Sequence, residues 1–144
     1  MYKNISIFGA SGSIGNAMLQ ALHQNKKIGE IHAFSENVSG NNFSNVKYHK
    51  VAYDDELSIK EASQIASIKY PIDLIFIATG LLHSETIQPE KSLRDLNFDN
   101  FHSLFSRNTI LPAIIAKHFL PKMNLKKRSI FAALSARVGS ISDN

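Results

Sequence analysis

Residues 5–22 read "ISIFGASGSIGNAMLQAL", and no other stretch narrows the possible folds so sharply. Ile5 to Phe8 form a short apolar strand. Gly9, Gly12 and Gly15 follow at GxxGxxG spacing. The chain then takes up helical periodicity, with Ile14, Met18 and Leu22 on one face and Ala17 and Ala21 beside them. A helix entered through glycines leaves its first backbone N–H groups free to meet a phosphate. One glycine permits the tight turn, another lets the backbone approach a pyrophosphate, and Gly15 allows close helix–sheet packing. Ser11 and Ser13 add hydroxyl donors, and Ile14 opens the helix at the same place. The motif predicts a dinucleotide site.

The remaining elements predict the sheet around it. Lys26, Lys27 and Gly29 close the first helix, and Ile31 to Phe34 begin a second strand. The polar segment "SENVSGNNFSN" reads as a loop, and Val46 to Tyr53 as a third strand. Asp55 caps a helix whose Ile59, Ala62, Ile65 and Ile68 share a face. The run "IDLIFIATG" is the strongest strand in the chain, and its unbroken apolar character suits burial on both faces. Helical spacing returns over residues 98–119, with Phe98, Phe101, Phe105, Thr109, Pro112 and Ile115 near one stripe. Pro112 predicts a kink there. Ser129 to Leu134 form a fifth strand, followed by only "SARVGSISDN".

Strands alternating with helices at this spacing give a Rossmann-like α/β fold, a parallel sheet with helices on both faces. One domain over residues 1–144 is expected, incomplete at its C-terminal end because the sheet stops early.

In such a fold the end of the second strand reads the adenosine ribose. Ser35 and Glu36 fall there, with Glu36 twenty-one positions past Gly15. An acidic residue favours a free 2′-hydroxyl, and a basic one a 2′-phosphate. Glu36 therefore points to NAD, with NADP kept open.

Composition removes several function classes. Cysteine is absent, which excludes disulfides, thiolate catalysis and Cys-bound metals. The six histidines show neither HExxH nor a close ligand cluster, so no metal site is expected. The net charge of +4 is spread along the chain, and its clusters at Lys26/Lys27 and residues 126–128 fall at expected helix ends. Nucleic-acid binding is not expected. Neither a signal peptide nor a membrane-length apolar run is present, so a cytoplasmic protein is expected.

Four segments in order carry a family resemblance: "FGASGSIG", "DLIFIATGLLHSETIQPEKSL", "RNTILPAIIAKHFLPKM" and "LSARVGSISDN". With them the chain resembles the short-chain dehydrogenase/reductases, in the branch of C-factor-like proteins and carbonyl reductases. The resemblance implies hydride transfer between NAD(P) and a carbonyl or alcohol substrate. It also implies a homo-oligomer assembled through the central helix that holds Phe101, Phe105 and Ile115.

In that family a tyrosine is the acid/base, a lysine four residues later lowers its pKa, a serine orients substrate, and a central-helix asparagine supports a proton relay. The resemblance places the asparagine at Asn108. The paired serines fall on Ser135 and Ala136, which leaves Ser135 as the candidate and Ser140 as a further one. Asp54 or Asp55 stands in for the adenine-contacting aspartate, whose position holds Ala52. "IATG" replaces the usual "NNAG" and keeps Ala78 or Thr79 near the ribose and Gly80 in the turn. Ser13 takes the place of the middle glycine, and Phe8 that of the family's threonine.

The YxxxK pair has no counterpart. No tyrosine of the chain has a lysine four positions on. The expectation is the cofactor portion of a reductase, truncated before YxxxK and inactive by itself. A non-catalytic nucleotide-binding or protein-interaction module is the alternative.

Overall fold

Residues 2–38, 43–84 and 86–136, with 139 and 142, are described by the computed structural model. Five strands form one sheet: β1 (Asn4–Phe8), β2 (Glu30–Ser35), β3 (Val46–Lys50), β4 (Leu74–Ile77) and β5 (Ile130–Ala133). Their order is β3-β2-β1-β4-β5, and every pairing is parallel. Between them run α1 (Ser13–His23), α2 (Glu56–Ser67), α3 (Phe98–Phe105) and α4 (Leu111–Phe119). This is the expected Rossmann-like arrangement. Strand order reverses between β1 and β4, and the crevice beyond their C-terminal ends is where such sheets bind ligands.

Strand alternation divides the core into two layers. Ile5 and Ile7 of β1, Ile31 and Ala33 of β2, and Leu74 and Phe76 of β4 pack with Leu19 of α1. On the other face Phe8, Phe34, Ile75 and Ile77 meet Ile59, Ala62 and Ala66 of α2 and Leu111, Ile115 and Phe119 of α4. Phe8 stacks on Phe34, and Phe119 meets both rings edge-on. All four residues of β4 are buried, as a strand covered on both faces requires.

At the opposite end of the strands, Asp73 ties the sheet together. Its carboxylate accepts the N–H of Lys3 at 2.6 Å and the Asn124 side-chain amide at 3.1 Å, and pairs with Lys127. Burial raises the Asp73 pKa, but these hydrogen bonds outweigh it and the net shift is downward.

Several predicted details are corrected. Helix α1 buries Gly15 and Leu19, with Met18 and Leu22 half-buried, while Ile14, Ala17 and Ala21 lie outward. Asp55 caps α2 by accepting the Leu57 N–H, as predicted. The buried face of α2 is Ile59, Ala62, Ser63 and Ala66, whereas Ile65 and Ile68 are exposed. Strand β3 ends at Lys50, which frees Tyr53 to turn inward.

The predicted stripe of residues 98–119 is split. Phe98, Phe101 and Phe105 are exposed, whereas Ile115 is fully buried and cannot join a surface for assembly. The irregularity expected at Pro112 takes the form of a π-helical turn, Ser106–Ile110, between α3 and α4. A proline clashes with the carbonyl four residues back, and widening the preceding turn relieves that clash.

Candidate functional site

The β1–α1 turn supplies the first half of the site. Gly9 has φ +75°, a conformation that side chains beyond glycine rarely adopt, and a Cβ there would lie 2.9 Å from the Ala78 carbonyl atoms. At Gly15 a Cβ would come within 2.8 Å of the Gly9 carbonyl carbon and collide with its oxygen. Thus α1 rests directly on the turn. Gly12 differs: its backbone is extended, and its nearest neighbour to an added Cβ is the Gly9 oxygen at 3.3 Å.

The N-terminus of α1 has donors without acceptors. Gly12 is its N-cap but offers no side-chain bond, and the first turn contains no acidic residue. Among the described hydrogen bonds, the N–H groups of Ser11, Ser13, Ile14 and Gly15 meet no partner. Ser11, Gly12, Ser13 and Ile14 are all exposed. These N–H groups and the helix dipole favour an anion. Across the crevice Ala78, Thr79 and Gly80 extend β4, and the Ala78 N–H bonds the Phe8 carbonyl at 2.9 Å. The Thr79 hydroxyl oxygen is buried without a hydrogen-bond partner. A glycine cradle, unpaired N–H donors and an orphaned hydroxyl fit a dinucleotide.

The expected ribose-reading residues are already engaged. Ser35 is buried, and its hydroxyl donates to the Asn37 carbonyl at 2.8 Å. Glu36 accepts from Nη2 of Arg107, which lies 3.1 Å from both carboxylate oxygens. The Arg107 guanidinium sits 4.9 Å from the centroid of the Tyr53 ring. The Tyr53 hydroxyl donates to the Phe34 carbonyl at 3.1 Å and accepts the Gly9 N–H at 2.8 Å. Burial, aided by the Glu36 charge, pushes the Tyr53 pKa up to about 12, against the opposing effects of the Gly9 hydrogen bond and Arg107. Tyr53 is therefore a strut beneath the glycine turn and a poor proton donor at neutral pH.

Asn108 lies in the π-helical turn. Its side-chain oxygen accepts the Leu81 N–H at 2.8 Å, and its amide donates to the Leu81 carbonyl at 2.7 Å. It holds the backbone just beyond Gly80, twenty-seven residues upstream. Beside it, a cavity of about 280 Å³ is bounded by Tyr53, Asp54, Leu81, Ser84, Arg107 and Leu111, among others. Ser135 is exposed just after β5, and Ser140 lies outside the described residues. No group of three or more His, Asp or Glu among the described residues could hold a metal. Among them, too, no helix is long and apolar enough to cross a membrane.

Sequence reasoning passed over Tyr53, Arg107 and Leu81 as parts of this site. Arg107 was visible only as the neighbour of Asn108. Nothing in local spacing signals its pairing with Glu36 across seventy-one residues.

Comparison with known proteins adds a family match. Residues 4–98 match the model of the semialdehyde dehydrogenase NAD-binding domain. No curated protein matches the sequence. Among solved structures, a short-chain dehydrogenase family protein from Francisella tularensis is 20% identical with a TM-score of 0.73. The match covers 91% of this chain and 50% of that one. An NADPH-bound carbonyl reductase from chicken fatty liver is 18% identical with a TM-score of 0.80, over 99% of this chain and 61% of that one. The putative carbonyl reductase Sniffer of Caenorhabditis elegans is 19% identical with a TM-score of 0.82, over 100% and 68%. At these identities the likeness is one of fold. The chain spans from half to about two thirds of their length.

Proposed function

The chain belongs to the semialdehyde dehydrogenase NAD-binding domain family, with NAD or NADP as its cofactor, and on that premise we propose that it is the cofactor-binding portion of an oxidoreductase acting on a carbonyl or alcohol. Its finer relationship is to the short-chain dehydrogenase/reductases, near the C-factor-like and carbonyl reductase branch. One observation carries the reading: α1 packs on a glycine turn so closely that Gly15 can bear no side chain, and its leading N–H groups remain unpaired.

When bound, the cofactor supplies hydride transfer at its nicotinamide. The protein's share is binding and orientation. The N–H groups at the start of α1 receive the pyrophosphate, while Gly9 and Gly12 let it approach the backbone. Ala78, Thr79 and Gly80 line the crevice beyond β4, and Asn108 fixes the following residue, Leu81. Ser135 follows β5, the strand paired with β4, and its exposed hydroxyl is available to a substrate oxygen. Asp54 borders the cavity that adjoins Arg107.

What these residues lack is a proton donor matched to neutral pH. Asn108 can only orient, and a serine hydroxyl is too weak an acid to protonate a developing alkoxide unaided. Tyr53 is committed to the glycine turn. On this reading the 144 residues bind cofactor without turning over a substrate by themselves. Assembly through exposed Phe101 and Phe105, and a cytoplasmic location, complete the proposal.

The test is NAD(P)H oxidation by the purified 144-residue chain across ketones, aldehydes and quinones. No turnover above background is expected. Robust turnover by the short chain, lost on Asn108→Ala or Ser135→Ala, would overturn the inactivity and demand another proton path.

A further inference from the structure

The end of the sheet opposite the glycine turn carries half of the chain's sixteen Lys and Arg residues. Lys3 precedes β1, Lys26 and Lys27 lie between α1 and β2, and Lys69 lies between α2 and β4. Lys122, Lys126, Lys127 and Arg128 fall between α4 and β5. These cations are scattered in the sequence, and the fold gathers them. The Gly29 N–H meets the Tyr2 carbonyl at 3.0 Å, and the Ile72 N–H meets the Lys122 carbonyl at 2.9 Å. The Lys3 and Lys69 ammonium groups lie 5.6 and 5.3 Å from the centroid of one ring, that of Tyr70. Asp73 is the one carboxylate in these four segments, and it is buried and paired with Lys127. Glu30, at the start of β2, is held by Lys47 and His32. Helix dipoles account for a cation in a last turn, but not for Lys3 ahead of a strand or for three in a row before β5.

Two large aliphatic side chains protrude among these cations. Ile68, beside Lys69, is 80% exposed, and Leu125, beside Lys126, is 91% exposed. Leu125 is held in place by the backbone around it. It is the central residue of a turn in which the Asn124 side-chain oxygen accepts the Lys126 N–H at 3.0 Å. Asn124 is fixed in its turn, its amide donating to Asp73 and its carbonyl accepting the Ser129 hydroxyl. A braced leucine followed directly by Lys126, Lys127 and Arg128 joins an apolar wedge to a positive rim. From this arrangement we propose that this end of the sheet docks on an anionic lipid bilayer. Leu125 and Ile68 enter the headgroup region, and the surrounding cations meet lipid phosphates and carboxylates.

Charge complementarity favours any anionic partner, and the two aliphatic residues select among them. Single-stranded nucleic acid stacks its bases on exposed aromatic rings. Tyr2 and Tyr70, the aromatic residues of these segments, are half-buried, and the Tyr70 ring already carries two ammonium groups. Leucine and isoleucine offer a base little, whereas beside lysines with long apolar stems they suit the boundary between headgroups and acyl chains. Attraction to an anionic surface grows with the number of cations, by about fivefold in affinity for each. The crevice beyond β1 and β4 lies at the other end of the strands. A docked chain therefore turns that crevice to water, where cofactor can enter and leave.

The experiment is co-sedimentation of the folded chain with phosphatidylcholine vesicles, with and without phosphatidylserine as about a third of the lipid. Wild type is expected to bind the phosphatidylserine vesicles at least about tenfold tighter, the difference shrinking as salt is raised. Lys126→Glu combined with Arg128→Glu should weaken that binding at least about twentyfold and flatten its salt dependence. Leu125→Gln should weaken it about fivefold with the salt dependence unchanged. Lys60→Glu, the same kind of change on α2, should weaken it less than about threefold. NADPH affinity should stay within about twofold of wild type in every variant.

Wild type that binds the two vesicle types equally, or binds neither, would overturn the inference without recourse to any variant. So would a loss in the Lys126/Arg128 variant no larger than that of Lys60→Glu, or a Leu125→Gln chain that binds like wild type. Tight binding of a single-stranded oligonucleotide by a chain that leaves the vesicles unbound would assign the face to nucleic acid instead. None of these results touches the cofactor reading, which rests on the opposite end of the sheet.

Discussion

At the β1–α1 turn the groups on offer are backbone N–H groups, whereas beyond β4 and β2 they are side chains. The turn needs three small residues and the right path of the chain. The side-chain half needs Asn108 to find Leu81 beyond β4 and Arg107 to find Glu36 beyond β2, from elements far away in sequence. A backbone cradle is complete once the fold forms, because its donors exist at every helix N-terminus. A side-chain site is complete only when each residue type is present. Here the cradle is whole, while the set around Asn108 and Ser135 lacks a proton donor. On the proposed reading the two halves of one crevice differ in function: one holds the cofactor, and the other lacks a proton donor.

Gly15→Ala is the strongest way to break this contrast. The added methyl meets the Gly9 carbonyl, which is backbone and cannot swing aside. A loss of about 3 kcal/mol is expected, with cofactor binding lost alongside it. Urea unfolding and NADPH titration read the two effects. An unchanged unfolding midpoint would mean that α1 does not rest on the turn as described.

Asn108→Ala probes the side-chain half, with a smaller effect. Two hydrogen bonds to Leu81 disappear, but Asn108 is exposed and water can replace them. A loss of about 1 kcal/mol is expected, with NADPH affinity within about twofold of wild type. An affinity loss as large as that of Gly15→Ala would erase the distinction between the two halves.

The same difference explains what was legible in the sequence. The glycine turn is local, so strand, spacing and helix announced it within eighteen residues. The four-residue core of β4 was equally plain, because burial on both faces leaves an unbroken apolar run. Helix faces were harder. Ile14 and Ala17 continue an apolar stripe in α1, yet the close approach at Gly15 turns the Leu19 side inward. In α2, Ile65 and Ile68 were expected inside, but the smaller Ala66 and Ser63 face the sheet. Amphipathic spacing predicts a helix more securely than the direction in which it is rotated.

The ribose end was legible by position and hidden by chemistry. Glu36 stands at the expected offset, but nothing in the sequence discloses the arginine that partners it. The sequence excludes Tyr53 as a catalytic tyrosine because no lysine stands four positions on. Its role as a strut arises from β3 ending at Lys50 and the chain turning back beneath Gly9. Such pairings depend on tertiary folding and leave no periodic trace.

Gly12→Asp separates binding from folding most directly. Gly12 has an extended backbone that other residues adopt, and an added Cβ would sit 3.3 Å from the Gly9 carbonyl oxygen, a contact the turn must relieve by a few tenths of an ångström, while the carboxylate brings charge to the phosphate site. Aspartate is also a good N-cap, which offsets that contact, so stability should stay within about 1 kcal/mol of wild type. Its carboxylate would meanwhile occupy the free N–H groups and repel the pyrophosphate. Titration of NADPH into folded wild type and Gly12→Asp should show at least about a tenfold loss of affinity in the variant. Equal affinity in the two folded proteins would contradict the assignment of the glycine turn as the cofactor cradle.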